Sequence, residues 1–261
     1  MAEKRKTRIR QALILCAGLG TRLRPFTDTS PKPMVPLLGV PMIEWNLARF
    51  LEFGVDRFLI NLHFLPDVLR GYLGDGSRWG ATISYHYEPQ ILGTAGGVKS
   101  FEDQLEDEFF VIYGDIFSRV DYHAMEKVWR NYNGALGMQR VRLTENYTDA
   151  DIVELDEFKR VIAVHAKPHT SIYPKAYRMA GIFILSRQIL SLIPKDVYSE
   201  IGRDMIPAVL DFGGDFRGYL CGDYSKGIDT IGKKEEVELY LRQQNLTPPA
   251  SSSSSDGRHF Q

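Results

Sequence analysis

The apolar run Gln11–Ala17, QALILCA, breaks on Gly18-Leu19-Gly20. It then enters a segment carrying Arg22, Arg24 and Lys32 among the prolines Pro25, Pro31, Pro33 and Pro36. A short, unbroken apolar run closed by glycine reads as a strand buried on both faces of a parallel sheet. Open α/β sheets bind ligands beyond the carboxyl ends of their strands, so the loop after Ala17 is a ligand-binding position once such a sheet exists. Gly18 and Gly20 let backbone N–H groups turn toward an anion. Arg22 offers a planar fork to phosphate oxygens, and Lys32 a point charge. The prolines stiffen the segment, so ordering it on a ligand costs little entropy. Pro25 keeps a helix from starting at once and a third glycine is missing. The loop is therefore not the G-x-G-x-x-G turn of a dinucleotide fold, which disfavours an oxidoreductase.

The rest of the chain supplies the sheet. Pro41–Gly54, PMIEWNLARFLEFG, has the proline start and glycine stop of a helix. VDRFLINL reads as a strand, LPDVLRGYLGDG as a helix, and ATISYHYE alternates as a half-buried strand does. FFVIYGD (Phe109–Asp115) is a buried strand closed by Gly114, YHAMEKVWRNYNG a helix, and GALGMQRV a strand. This alternation predicts an α/β, Rossmann-like fold in three layers, a mostly parallel sheet with helices on both faces. After Arg142 the pattern loosens into a hairpin (DIVELDEFKRVIAV), a strand (MAGIFILS), a helix with an internal proline (SEIGRDMIPAVLDFG), a strand (FRGYLCG) and a charged helix (KKEEVELYLRQQ). The expected organisation is a basic leader over 1–10, a single domain over 11–245 with a small β-rich insertion, and a disordered tail over 246–261, too poor in apolar residues to order.

Composition excludes several classes. A net charge of −1 lacks the basic balance of a nucleic-acid binder. Cys16 and Cys221 make neither a zinc spacing nor a disulfide framework, which suits a reducing compartment. The 6 histidines include no H-E-x-x-H. No stretch has the length and apolarity of a membrane span, and EKRKTRIR lacks the apolar core of a signal peptide. A cytoplasmic protein with no nucleic-acid or membrane partner is expected. GIDTIGKK (Gly227–Lys234) nearly completes a phosphate-binding P-loop, but Lys234 stands where a hydroxyl is needed, and no strands remain downstream to build that domain.

The longer segment GLGTRLRPFTDTSPKPMVPLLGVPMIEW resembles the signature of the sugar-1-phosphate nucleotidyltransferases, G-x-G-T-R-L-x-P-x-T followed by P-K-P-[ML]-x-P. GDGSRWGATISYHYE, LGTAGGVK, VIYGD, AKP, MAGIFIL and GIDTIGKKEE follow in the family's order, so the resemblance runs from Gln11 to Gln243. It implies an enzyme in which a sugar-1-phosphate oxygen attacks the α-phosphorus of a nucleoside triphosphate and pyrophosphate leaves. Such a step needs positioning and charge neutralisation more than covalent help. By this resemblance Arg22 and Lys32 are the catalytic cations, on the β/γ and α phosphates respectively. Ala17, Gly18, Gly20, Thr21, Gly93, Thr94 and Gly114 bind nucleotide; Gly96 and Gly97 would also let the base approach. Asp115 and Asp229 hold Mg²⁺. Lys167, Ala166, Met179 and Gly181 meet the sugar phosphate.

The implied partners are a nucleoside triphosphate and a sugar-1-phosphate or related phosphate ester; self-association into a homo-oligomer is left open. LGTAG and GDGSRWG are similar to the mannose- and heptose-1-phosphate guanylyltransferases and favour GTP. Uridylyl or cytidylyl transfer to N-acetylmuramate, glucose or phosphocholine-type acceptors stays open, as does a non-catalytic regulatory homologue that binds nucleotide sugar. The acceptor region departs from the family. Ala166 replaces an acidic residue, Met179 replaces the asparagine of N-A-G, and ADIVEL (Ala150–Leu155) replaces Y-G-V-V. These changes predict a more apolar pocket and an unusual acceptor.

Overall fold

The computed structural model describes residues 8–144, 150–169, 171–173 and 175–249. The first half alternates β1 (Gln11–Leu15), a two-residue-strand ribbon β2 (Pro36–Leu37) and β3 (Val40–Pro41), α1 (Met42–Glu52), β4 (Arg57–Leu62), α2 (Pro66–Leu73), β5 (Thr82–Tyr87), α3 (Gly93–Lys99), β6 (Glu108–Tyr113), β7 (Ile116–Ser118) and α4 (Tyr122–Trp129). The second half adds β8 (Gly137–Leu143), β9 (Ile152–Leu155), β10 (Val161–His165), β11 (Tyr177–Ser186), α5 (Ile206–Asp211), β12 (Phe216–Leu220), β13 (Ser225–Gly227) and α6 (Ile231–Gln243).

A 9-stranded sheet runs in the order β10-β9-β11-β6-β1-β4-β5, with β8 beside β11 and β12 beside β8. β5, β4, β1 and β6 are mutually parallel. β11 runs against β6, while β8 and β9 run against β11. β12 runs parallel to β8 and β10 runs against β9, so β10 and β11 oppose the other seven strands and the sheet is mixed but mostly parallel, as the alternation predicts. Along β1 the side chains divide between two cores. Ala12 and Ile14 join Phe50 of α1 and Tyr122 of α4 on one face, and Leu13 joins Val98 of α3 and Val209 of α5 on the other. Burial on both faces is why the strand is apolar from Ala12 to Leu15 without alternation. Phe50 and Tyr122 stack at 4.2 Å between centroids.

A third core positions the basic loop. Leu23, Val35 and Leu37 pack with Trp45, Ile228 and, on α6, Val237 and Leu241. The proline segment is thus no open loop but three successive 3-10 turns, Thr21–Leu23, Phe26–Asp28 and Lys32–Met34, anchored from behind by the last helix. The expected helix SEIGRDMIPAVLDFG divides in two. Ile201–Met205 forms a wider turn, with Met205 N–H donating to Glu200 O at 3.1 Å, and α5 begins after it. Pro207 has no N–H to give and is accommodated in the first turn of α5. The ribbon strands β7 and β13 were not expected from the sequence.

The ordered body begins before Gln11. Ile9 is buried and Arg10 pairs with Asp56, because the chain entering β1 is covered by α4, where Glu126 accepts the Ile9 N–H at 3.1 Å. The remainder of the expected leader, residues 1–7, lies outside the described residues, as do residues 250–261 of the expected tail; Leu246 packs on the third core. Among the described residues, no helix is long and apolar enough to cross a membrane.

Candidate active site

The carboxyl ends of β1 and β6 lie side by side and are fastened there. Gly114 N–H donates to Leu15 O at 2.7 Å. Cys16 N–H donates to Asn61 Oδ1 at 2.6 Å, Asn61 Nδ2 donates to Glu88 Oε1 at 2.8 Å, and Leu92 N–H donates to the other Glu88 oxygen at 3.0 Å. Asn61 and Glu88 are buried, so this chain of bonds is fully desolvated and rigid. It ties the end of β1 through β4 to the loop that starts α3. Burial, helped by the charge of Asp115, pushes the Cys16 thiol well above the ordinary cysteine range, so it stays a neutral packing group.

At the start of α3, Gly93 has φ of +75°, and a Cβ there would sit 2.4 Å from the backbone oxygen of Ser199. That oxygen accepts the Ala95 N–H at 2.9 Å, while Thr94 Oγ1 donates to Glu200 and accepts the Ile201 N–H at 2.8 Å. The 199–201 segment therefore clamps the helix start, and only glycine fits against it. Gly93→Ala should cost about 2 kcal/mol or more, from positive-φ strain plus overpacking. Thermal unfolding should show this as a Tm several degrees lower; an unchanged Tm would mean that the clamp yields. Gly96 and Gly97, expected to admit a base, instead admit the protein's own chain. A Cβ on Gly96 would meet Val197 O at 2.9 Å, and one on Gly97 would meet Asn61 Nδ2 at 2.7 Å.

These elements enclose a cleft of about 230 Å³ lined by Ala17, Gly18, Gly20, Lys32, Gly93, Thr94, Gly114 and Asp115, all expected site residues, together with Asn61, Tyr113 and Glu200. A second pocket adjoins it and shares Tyr113 and Asp115. Arg22, Asp229, Lys167, Met179 and Gly181 line this second pocket, along with Asp151, Arg140, Arg142 and Arg178. Thr21 and Ala166 line neither pocket: Thr21 opens the first 3-10 turn, and Ala166 is exposed. Met179 does face the second pocket, yet five basic and three acidic side chains make the lining charged and not the apolar one expected.

Gly181 marks where β11 leaves the second pocket, which Arg178, Met179 and Ala180 also line, and turns onto β6. It has φ of +63°, and a Cβ there would meet Ile116 Cδ1 at 2.5 Å and Tyr113 Cδ2 at 2.7 Å. β11 kinks at this point. Its first residues, Tyr177 and Arg178, pair with β9, and its last, Ile182–Ser186, pair with β6.

Charges are matched across the junction. Lys32 Nζ forms an ion pair with Asp115, Arg22 reaches Asp229 Oδ2 at 2.8 Å, and Lys233 reaches Asp229 Oδ1 at 2.9 Å. Burial by itself would raise the Asp229 pKa. The hydrogen bond and charge of Lys233, with the charges of Arg22 and Lys32, outweigh it and hold the carboxyl below its ordinary value. A depressed folded-state pKa contributes stability above the unfolded value that is lost only as pH falls through the folded one, so Asp229 remains ionised throughout the neutral range. The stretch GIDTIGKK is the entry to α6, with Thr230 capping the helix by accepting the Lys233 N–H at 3.3 Å. Burial pushes the Tyr113 hydroxyl far above the ordinary tyrosine range, so it is a neutral hydrogen-bonding group between the pockets.

Asn61, Glu88 and Glu200 were not singled out from the sequence. The one available signal was a polar Asn61 near the end of the apolar run RFLINL.

Residues 11–216 match the family described as nucleotidyl transferase. A UTP–glucose-1-phosphate uridylyltransferase of Synechocystis sp. is 30% identical over 217 residues, covering 78% of this chain and 56% of that protein. A mannose-1-phosphate guanylyltransferase of Mycobacterium tuberculosis is 30% identical over 221 residues, covering 84% of this chain and 61% of that protein. The chain thus spans between half and two thirds of the length of these two relatives. The crystal structure of HddC from Yersinia pseudotuberculosis complexed with GMP-PN superimposes with a TM-score of 0.73 at 22% identity, covering 89% of this chain and 100% of that one. The last likeness is one of fold.

Proposed function

Because the chain belongs to the nucleotidyl transferase family, we propose that it transfers a nucleoside monophosphate from a nucleoside triphosphate to a sugar-1-phosphate or related phosphate ester. The observation that carries this reading is the pair of adjoining pockets that share Asp115 and Tyr113, with Lys32 on one side of the junction and Arg22 on the other. A donor in the first pocket and an acceptor in the second would meet at that junction. An acceptor phosphate oxygen attacks the α-phosphorus, a new P–O–P linkage forms, and the α–β anhydride breaks to release pyrophosphate. Lys32, beside the glycine loop, is suited to the α-phosphate; Arg22, a mostly exposed fork, lines the second pocket while paired with Asp229 and would leave that pair to meet the departing β/γ phosphates. In this scheme both exchange a carboxylate for a phosphate oxygen as the donor binds. The clamp on α3 and the Asn61–Glu88 chain keep the cleft walls fixed, so little reorganisation accompanies the reaction.

The donor set fits magnesium. Asp115 and Asp229 are hard oxygen ligands that line the second pocket together. Asp115 and Asp229 would hold the ion, which would neutralise charge on the phosphate oxygens. The single domain over 11–245 is the unit to which we assign the activity.

The similarity to a mannose-1-phosphate guanylyltransferase along 84% of the chain supports GTP with mannose-1-phosphate, and the LGTAG and GDGSRWG stretches extend that reading to heptose-1-phosphate. The equal identity to a uridylyltransferase supports UTP with glucose-1-phosphate as the second reading. Pyrophosphate release with each nucleoside triphosphate, Mg²⁺ and a panel of phosphate esters tests the proposal. One triphosphate and one ester class should give turnover dependent on both. Binding of nucleotide sugar with no release from any combination would instead identify a non-catalytic binding protein.

A further inference from the structure

Five basic side chains, Arg22, Arg140, Arg142, Lys167 and Arg178, line the second pocket against three carboxylates, Asp115, Asp151 and Asp229. Arg140 is almost completely buried on β8, and its guanidinium donates to Ser225 Oγ at 2.7 Å, to the Asp223 backbone oxygen and to Cys221 Sγ, all of them uncharged. Among the described residues no carboxylate forms an ion pair with Arg140 or with Arg142. Two residues further along β8, Arg142 lies on the same face and directly opposite Arg178 of β11. A buried guanidinium without a counter-anion is costly. All three arginines line the pocket, away from the Lys32–Asp115 pair and in addition to Lys167. Arg22 and Asp229 already balance one another at the junction.

With only the transferase step of the proposed function as its premise, we propose that Arg140, Arg142 and Arg178 form a second anion subsite, and that the acceptor is not a plain mannose-, heptose- or glucose-1-phosphate but a phosphate monoester bearing a further acidic group on its carbon skeleton. The reacting phosphate is met at the junction by Lys167 and the residues around Asp115. The further group, a carboxylate or a second phosphate, is met by the arginine cluster and is unchanged by the reaction. Both groups are planar or tetrahedral oxyanions that a guanidinium fork binds through paired N–H bonds. The departure at Met179 fits this reading, because recognition of the acceptor moves from neutral hydroxyl contacts to ionic ones.

The test uses glucose-1-phosphate, glucuronic acid-1-phosphate and glucose-1,6-bisphosphate as acceptors for the unmodified protein, Arg142→Gln and Arg178→Gln. Each is assayed by pyrophosphate release with each nucleoside triphosphate and, separately, by calorimetric binding. A charge-assisted contact should favour an acidic acceptor in kcat/KM by about 10- to 100-fold over glucose-1-phosphate. That preference should collapse in both variants, chiefly through KM. The glucuronate and bisphosphate arms report which oxyanion the subsite takes. Equal use of glucose-1-phosphate, or a preference that survives both substitutions, overturns the subsite while leaving the transferase reading intact. If no pair releases pyrophosphate, the transferase reading fails and binding decides: tighter binding of an acidic ester to the unmodified protein than to Arg142→Gln supports the subsite, and equal binding overturns it.

Discussion

Lys32→Ala lowers pyrophosphate release by about three orders of magnitude, the loss expected when a preorganised cation is removed from a developing phosphate charge. The lysine is well placed for such an effect. Its side chain is only 12% exposed, it sits in a 3-10 turn backed by the third core, and it is already paired with Asp115 at the junction of the two pockets. The fall should appear in kcat more than in KM, because the contact strengthens in the transition state. Circular dichroism should show an intact fold, since Met34 and Val35, not Lys32, anchor the turn. Release near the unmodified rate would take Lys32 out of the mechanism.

A comparable loss is expected at the carboxylates. Asp115→Asn and Asp229→Asn should each reduce turnover by about two orders of magnitude or more at a fixed Mg²⁺ concentration, because neutralising phosphate charge supplies several kcal/mol. Both should also weaken the Mg²⁺-dependent thermal shift seen with a nucleoside triphosphate, a readout independent of catalysis. The two substitutions separate in a second respect. Asp229→Asn removes the partner of both Arg22 and Lys233 at the entry to α6, whereas Asp115→Asn frees only Lys32. Asp229→Asn should therefore lower Tm more. Full activity of Asp229→Asn would show that GIDTIG does not supply a metal ligand.

Strands β1 and β6 could be read directly from the chain because both their faces are buried, leaving apolar runs with glycines at the ends that carry chemistry. The basic loop could be recognised as a motif but not as a shape. What holds it is α6, whose Glu238 accepts the Leu38 N–H at 3.0 Å from 200 residues away. No local pattern encodes a contact of that range. The second pocket was the least legible part. Arg140 and Arg142 occur in an ordinary alternating strand, QRVR, and only the β8–β11 register sets Arg142 opposite Arg178. An expectation built on Ala166 and Met179 alone therefore pointed to an apolar lining. Glu88 was hidden for a related reason: its partners, Asn61 and Leu92, arrive from different elements, and nothing in YHYEPQ marks a buried carboxylate.

The kink in β11 has a consequence for how such a protein can change. On one edge the strand keeps β8 along its length, while on the other it exchanges β9 for β6 on either side of Gly181. On the proposed scheme, the donor side, beside β1 and β6, answers to the later part of the strand, and much of the acceptor wall answers to the earlier part. Substitutions in β9, β10 or the first residues of β11 should then alter what is accepted while leaving the triphosphate side in place. Gly181 itself has no such freedom, since any side chain there would strike Ile116 and Tyr113, the second of which lines both pockets. The fold is in this sense an interchangeable socket on a constant engine, and that one glycine is the coupling between them.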